Sequence, residues 1–137
     1  MKPICIIPAR GGSKGVPKKN IRKIAGKPLL GHVIEQINKS KIFSAVIVST
    51  EDLEIAKIAR KHGADVPFMR PKNLATDTTP MDKVLLHAVK ELYNLDYKFD
   101  IFVLRDATTP FITTTDIKKS IQLLRKKKVP VVCAVYE

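Results

Sequence analysis

Lys2-Pro3-Ile4-Cys5-Ile6-Ile7-Pro8-Ala9-Arg10-Gly11-Gly12-Ser13-Lys14-Gly15-Val16-Pro17-Lys18-Lys19-Asn20 couples an apolar run to a turn crowded with glycine and cations. The run from Lys2 to Pro8 does not alternate with polar residues, so it reads as a strand covered on both faces. The glycines and prolines that follow then emerge at the strand's carboxyl end, where open α/β sheets bind ligands. Glycine lets backbone N–H groups approach phosphate oxygens, and successive N–H groups in a turn form an anion nest. Arg10, Lys14, Lys18 and Lys19 add charge around it, and the Asn20 amide can read a base edge or hold the loop. The pattern is neither the dinucleotide fingerprint nor the nucleoside-triphosphatase loop, which ends in Gly-Lys-Ser/Thr.

Outward from this segment, helices and strands alternate. Pro28 opens a helix marked by Leu30, Val33, Ile34 and Ile37, and Phe43 to Val48 is a β-branched strand. A helix from about Asp52 carries Ile55, Ile58 and Ala59, with His62 and Gly63 at its C-terminal cap. Val66 to Met69 is a short extended piece, and Pro71 to Pro80 is a loop. Asp82 is expected to cap a helix whose stripe is Val84, Leu85, Ala88, Val89 and Leu92. Asp100 to Leu104 is a strand, Thr114-Thr115-Asp116 opens a helix bearing Ile117, Ile121 and Leu124, and Val129 to Val135 is the last strand. This order predicts one three-layer α/β domain over residues 1–137 with a largely parallel sheet. A sheet edge is normally protected, so a chain stopping just after its last strand is expected to be incomplete at the C-terminus.

Composition narrows the function classes. The chain has 137 residues, 45% of them hydrophobic, which suits one globular domain. No apolar stretch approaches a membrane span, and the N-terminal run is too short for a signal sequence. An intracellular, cytoplasmic protein is therefore expected. Cys5 and Cys133 read as small core hydrophobes on strands, and two cysteines with three histidines make a poor zinc site. His32 and His87 fall in amphipathic helices and read as structural. Net charge is +12, from 25 Lys+Arg against 13 Asp+Glu. No acid precedes Glu35, so the field is concentrated at the first loop. A second cluster, Lys118-Lys119 and Arg125-Lys126-Lys127-Lys128, reads as charge at a helix C-terminus plus solubility.

Ile7 to Ile21, followed by Ala25-Gly26-Lys27-Pro28-Leu29, closely resembles the N-terminal signature of the acylneuraminate cytidylyltransferases. That family includes CMP-sialic acid synthetases and relatives acting on pseudaminic and legionaminic acids. The resemblance resumes at Val48-Ser49-Thr50-Glu51-Asp52, at Arg70 to Asp77, at His87-Ala88 and at Ala107-Thr108-Thr109-Pro110-Phe111. It implies a Rossmann-like nucleotidyltransferase domain, CTP as donor, a divalent cation (Mg2+), an acidic sugar as acceptor and a homodimer in the full-length form. It further implies that Arg10 and Lys19 hold the triphosphate as the catalytic pair. Ala9, Gly11, Gly12, Ser13 and Lys14 would wrap the nucleotide, with Asn20 and Arg70 at the cytidine. Family members are longer, and the aspartates to which metal binding is usually assigned lie beyond the equivalent of Glu137.

One departure concerns the sugar. Sialate enzymes often carry Leu-Gln-Pro-Thr-Ser-Pro where this chain has Arg105-Asp106-Ala107-Thr108-Thr109-Pro110, which puts Asp106 at the glutamine position. Asp77, Asp106 and Thr108 are candidates for a sugar-binding or metal shell, and Asp77 and Asp106 equally suit turns or caps. The implied chemistry is in-line attack by a sugar hydroxyl on the α-phosphorus of CTP, which demands positioning and charge neutralisation rather than a covalent nucleophile. Three rivals stand beside this reading: a nucleic-acid-binding module, a guanylyl- or uridylyltransferase, and a noncatalytic nucleotide-binding remnant. The first is disfavoured because only 6% of residues are aromatic and no helix-turn-helix or zinc-finger spacing occurs.

Overall fold

A computed structural model of the chain describes residues 1–12, 18–107 and 112–131. Strands β1 (Ile4–Pro8), β4 (Ala45–Ser49) and β5 (Phe102–Leu104) form a parallel sheet in the order β4-β1-β5. Ile4 pairs in register with Ala45 on one side and with Phe102 on the other. A small antiparallel ribbon, β2 (Lys23–Ile24) and β3 (Lys27–Pro28), precedes helix α1 (Leu29–Ser40). Its two-residue turn holds Ala25 and Gly26 at φ of 53° and 79°, the left-handed pairing that tight hairpins favour. Helices α2 (Leu53–Lys61), α3 (Met81–Asn94) and α4 (Thr114–Lys127) follow, with two short 3-10 turns, Lys19–Ile21 and Lys72–Leu74, the second within the stretch read from sequence as a loop.

The apolar run of β1 is covered on both faces, as its lack of alternation predicts. Cys5 and Ile7 pack with Val46, Val48, Leu30, Ile34, Ile55 and Ala59, placing α1 and α2 on one side. Ile4 and Ile6 pack with Ile47, Phe68, Ala88, Leu92 and Phe99, placing α3 on the other. The result is the expected three-layer α/β domain. Burial pushes the Cys5 thiol up to about 12, so it stays protonated at neutral pH and behaves as the core hydrophobe foreseen. Cys133 lies outside the described residues, as does most of the final expected strand.

Several boundaries differ from the sequence reading. The N-cap of α3 is Pro80, with no side-chain cap, and Asp82 sits inside the first turn. There it still faces the helix's positive end, but it does not cap. The cap of α4 is Thr113, whose hydroxyl accepts from the Asp116 N–H while the Asp116 carboxylate accepts from the Thr113 N–H. On α2, Ala56 joins Ile55 and Ala59 in the core, and Ile58 is only half-buried. His62 and Gly63 end that helix as expected, Gly63 at φ 102°. The extended piece near Val66 docks beside β4 through Asp65, which exchanges hydrogen bonds with Val46 and Val48.

Strand order fixes where a ligand can sit. The chain leaves central β1 for β4 on one side and comes back to β5 on the other. A crevice therefore opens at the carboxyl ends of the strands, where the connections diverge.

Candidate functional site

Pro8, Arg10, Lys19, Asn20, Arg70, Met81 and Asp106 line a cleft of about 220 Å³ at that end of the sheet. Pro8 and Arg10 come from the end of β1, and Asp106 follows β5. Lys19 and Asn20 lie on a 3-10 turn, Lys19–Ile21. Met81 begins α3, so the N-terminal end of that helix borders the cleft. Three cations and one acid share this wall, an imbalance suited to a polyanion.

Arg70 is only 5% exposed. Its Nε donates to Ser49 Oγ at 3.1 Å, its Nη2 to the Ser49 carbonyl at 2.7 Å and its Nη1 to the Leu74 carbonyl at 3.2 Å. The guanidinium thus ties the end of β4 to the 71–80 loop. Burial holds its pKa below the ordinary arginine value, with Glu51 opposing that shift and Arg10 adding to it. Arg10 lies near enough to repel Arg70, and it forms an ion pair with Asp77 of the loop. Lys19 is exposed, and among the described residues it has no ion-pair partner.

The described ends of the glycine-rich loop are held from the corner between β4 and α2. Gly11 N–H donates to Glu51 Oε1, and the Gly11 carbonyl accepts from Lys18 N–H at 3.1 Å. Lys18 takes a left-handed conformation at φ 53° and its ammonium pairs with Glu54. That contact, chiefly as a hydrogen bond, raises the Lys18 pKa. Asp52 caps α2, its Oδ1 accepting from Glu54 and Ile55 N–H at 2.8 and 3.1 Å. A Cβ on Gly11 would collide with the Asp52 carboxylate, so any larger residue there would have to displace the side chain that caps α2. Asn20 is buried and its Nδ2 donates to the Arg10 carbonyl at 3.3 Å, the loop-holding alternative of the two read from sequence.

Of the residues singled out in the sequence, Arg10, Lys19, Asn20, Arg70 and Asp106 meet on one cleft wall. Ala9 lies beneath it, 1% exposed, with its N–H on the Ser49 carbonyl at 2.9 Å. Gly11 is buried with its N–H taken by Glu51, Gly12 is exposed, and Asp77 reaches Arg10 without lining the cleft. Ser13, Lys14 and Thr108 lie outside the described residues. Sequence reasoning missed Glu51, Glu54 and Met81. For Glu51 the available signal was its place in Val48-Ser49-Thr50-Glu51-Asp52, directly after a strand. The histidines stay away from the cleft: His32 Nε2 meets the Ile24 carbonyl at 2.6 Å, and His87 packs edge-on against Phe68. Among the described residues no helix is long and apolar enough to cross a membrane.

A family model described as cytidylyltransferase matches residues 4–135. The pseudaminic acid cytidylyltransferase of Campylobacter jejuni is 41% identical over 120 residues, covering 88% of this chain and 52% of that protein. The CMP-N,N'-diacetyllegionaminic acid synthase of Legionella pneumophila is 36% identical over 123 residues, covering 90% of this chain and 53% of its own length. The chain thus spans about half the length of the curated relatives it matches. A solved CMP:2-keto-3-deoxy-manno-octonic acid synthetase, complexed with CTP, superposes with a TM-score of 0.78 at 24% identity. It covers 94% of this chain and 49% of its own, and the likeness establishes the Rossmann-like nucleotidyltransferase fold. A match running from the first strand to the last residues, on that fold, shows that the chain belongs to the cytidylyltransferase family.

Proposed function

We propose that this chain forms the CTP-binding part of an enzyme that transfers CMP to an acidic nine-carbon sugar, releasing pyrophosphate. The observation that carries the reading is the convergence of Arg10, Lys19 and Arg70 on one cleft at the carboxyl end of β1. The relatives' names supply the substrate class, a nonulosonic acid of the pseudaminic, legionaminic or sialic kind. In this reading Arg10 and Lys19 take the triphosphate. The hydrogen bonds of Asn20 and Arg70 hold the cleft wall on which the cytidine rests. The sugar hydroxyl oxygen attacks the α-phosphorus in line, and the bond to the pyrophosphate oxygen breaks. Cations fixed before the reaction stabilise the charge that develops there.

Magnesium fits this wall through few protein ligands. Among the described residues no three His, Cys, Asp or Glu side chains gather into a metal-holding group. Mg2+ at nucleotide sites commonly takes one or two carboxylates, with phosphate oxygens and water supplying the rest. Asp106 is the acid on the cleft wall and is the residue that would hold it from this chain. When bound, the ion would neutralise phosphate charge. A cation there would also relieve the repulsion between Asp106 and the acceptor's carboxylate. The full-length protein is proposed to be a homodimer, as the family resemblance implies, and to work in the cytoplasm, as the shortness of its N-terminal apolar run suggests.

Titration calorimetry with CTP, ATP, GTP and UTP in magnesium tests the assignment. CTP is expected to bind at least tenfold more tightly than the others. Equal affinities, or none, would remove the proposed donor.

A further inference from the structure

Glu51 has no place in the chemistry above, yet it holds the neck of the nucleotide loop. Its Oε1 accepts the Gly11 N–H, while Oε2 is buried without a hydrogen-bond partner among the described residues. Burying a carboxylate is costly, and among the described residues what offsets that cost is the Gly11 N–H and the nearby charge of Arg70. Around that bond the chain closes a small ring of contacts. Lys18 N–H returns to the Gly11 carbonyl, the Lys18 ammonium reaches Glu54, and Asp52 fills the space a Gly11 side chain would need. Glu51 and Asp52 immediately follow β4, and Gly11 follows β1. Strand pairing through Pro8 and Ser49 therefore sets the distance that the glutamate spans.

We propose that Glu51 is a positioning residue for the nucleotide: its carboxylate fixes the Gly11 amide next to Arg10 and, through the bond from Lys18 N–H to the Gly11 carbonyl, the residue next to Lys19. The inference rests on the proposed CTP site and deepens it. Glu51 touches no substrate in this scheme. It acts through Gly11, setting how Arg10 and Lys19 face one cleft. The link depends on an acceptor oxygen at glutamate reach, and negative charge alone cannot replace it. Charge and reach can be separated by substitution. Glu51→Gln keeps the reach and an acceptor oxygen but loses the charge. Glu51→Asp keeps the charge but is one methylene short. Glu51→Ala removes both.

The experiment measures two quantities on the full chain of each variant, with thermal unfolding confirming that it is folded. The first is exchange of the Gly11 amide with solvent deuterium in the absence of nucleotide, read by NMR. The second is CTP affinity by calorimetry. The Ala and Asp variants should exchange Gly11 at least tenfold faster and bind CTP at least tenfold more weakly, while Gln stays within about threefold of the parent on both. Should Ala fail to fold, the Asp and Gln pair decides alone. Unchanged exchange in Asp overturns the clamp, and so does a Gln variant as impaired as Asp, because charge would then be the active property. Faster exchange with unchanged CTP affinity overturns the positioning role. If the parent binds no CTP, the functional reading fails and with it the positioning role, while the exchange data still decide whether Glu51 holds the loop.

Discussion

Arg10, Lys19 and Arg70 at the cleft, and Lys118, Lys119, Arg125, Lys126, Lys127 and Lys128 along and after α4, contribute to the same net charge of +12 in opposite settings. The cleft cations come from three separate places in the chain and are brought onto one wall. Arg70 is buried there with a depressed pKa, and Arg10 adds to that depression. The cations of α4 come from one helix and its last turn, where they are exposed and face water. Those in the last turn complement the helix's negative end. Arg125 reaches Asp100 at 3.0 Å and the Met1 carbonyl at 2.9 Å, a tie between surface elements. Number of charges therefore says little about function. Convergence and desolvation make a site, because opposing cations held close together are relieved by an anion, whereas solvated ones are already screened.

The contrast can be broken most directly at Arg70. Arg70→Ala removes three hydrogen bonds made by a buried side chain, to the Ser49 hydroxyl and carbonyl and to the Leu74 carbonyl, so unfolding free energy should fall by about 3 kcal/mol in a denaturant titration. A fall below about 1 kcal/mol would mean that this arginine is not a structural clamp. Lys19→Ala comes next. It removes an exposed side chain, so the fold should survive, but CTP affinity should drop ten- to a hundredfold, roughly 1.4 to 3 kcal/mol. Smallest is Lys126→Ala, the same unit of charge removed from α4, with less than about a twofold change in CTP affinity. Isotherms for the two lysine variants at one salt concentration sharpen the comparison. Equal losses would mean that nucleotides are attracted by net charge alone, and no loss at Lys19 would move the phosphate site off this turn.

Much of this arrangement is legible along the chain because it is local. The unbroken apolar run of β1 implies cover on both faces, and Cys5 with Ile7 against Ile4 with Ile6 supply it. The C-terminal cap of α2 at His62 and Gly63 follows from chain chemistry. The start of α3 was misread for a local reason too. Asp favours a cap in general, but Pro80 already holds an extended conformation just before the first turn, leaving Asp82 as the second residue of the helix. Asn20 shows the limit of motif reading. Its residue type allows base recognition or loop support, and only the fold shows that its amide reaches the Arg10 carbonyl while the residue still lines the cleft.

The sequence by itself determined the layer order, the glycine-rich turn after the first strand, and the family to which that turn belongs. These depend on periodicity, turn chemistry and a continuous motif, all properties of neighbours along the chain. Tertiary structure alone decided which charges meet. Gly11 and Glu51 are 40 positions apart, and Arg10 and Asp77 are 67 apart. Both contacts exist because parallel pairing sets the end of β1 beside the end of β4, and because the Arg70 clamp folds the 71–80 loop back toward it. A hydrogen bond acts over about 3 Å, and no pattern of residue types specifies which distant pair will be brought that close.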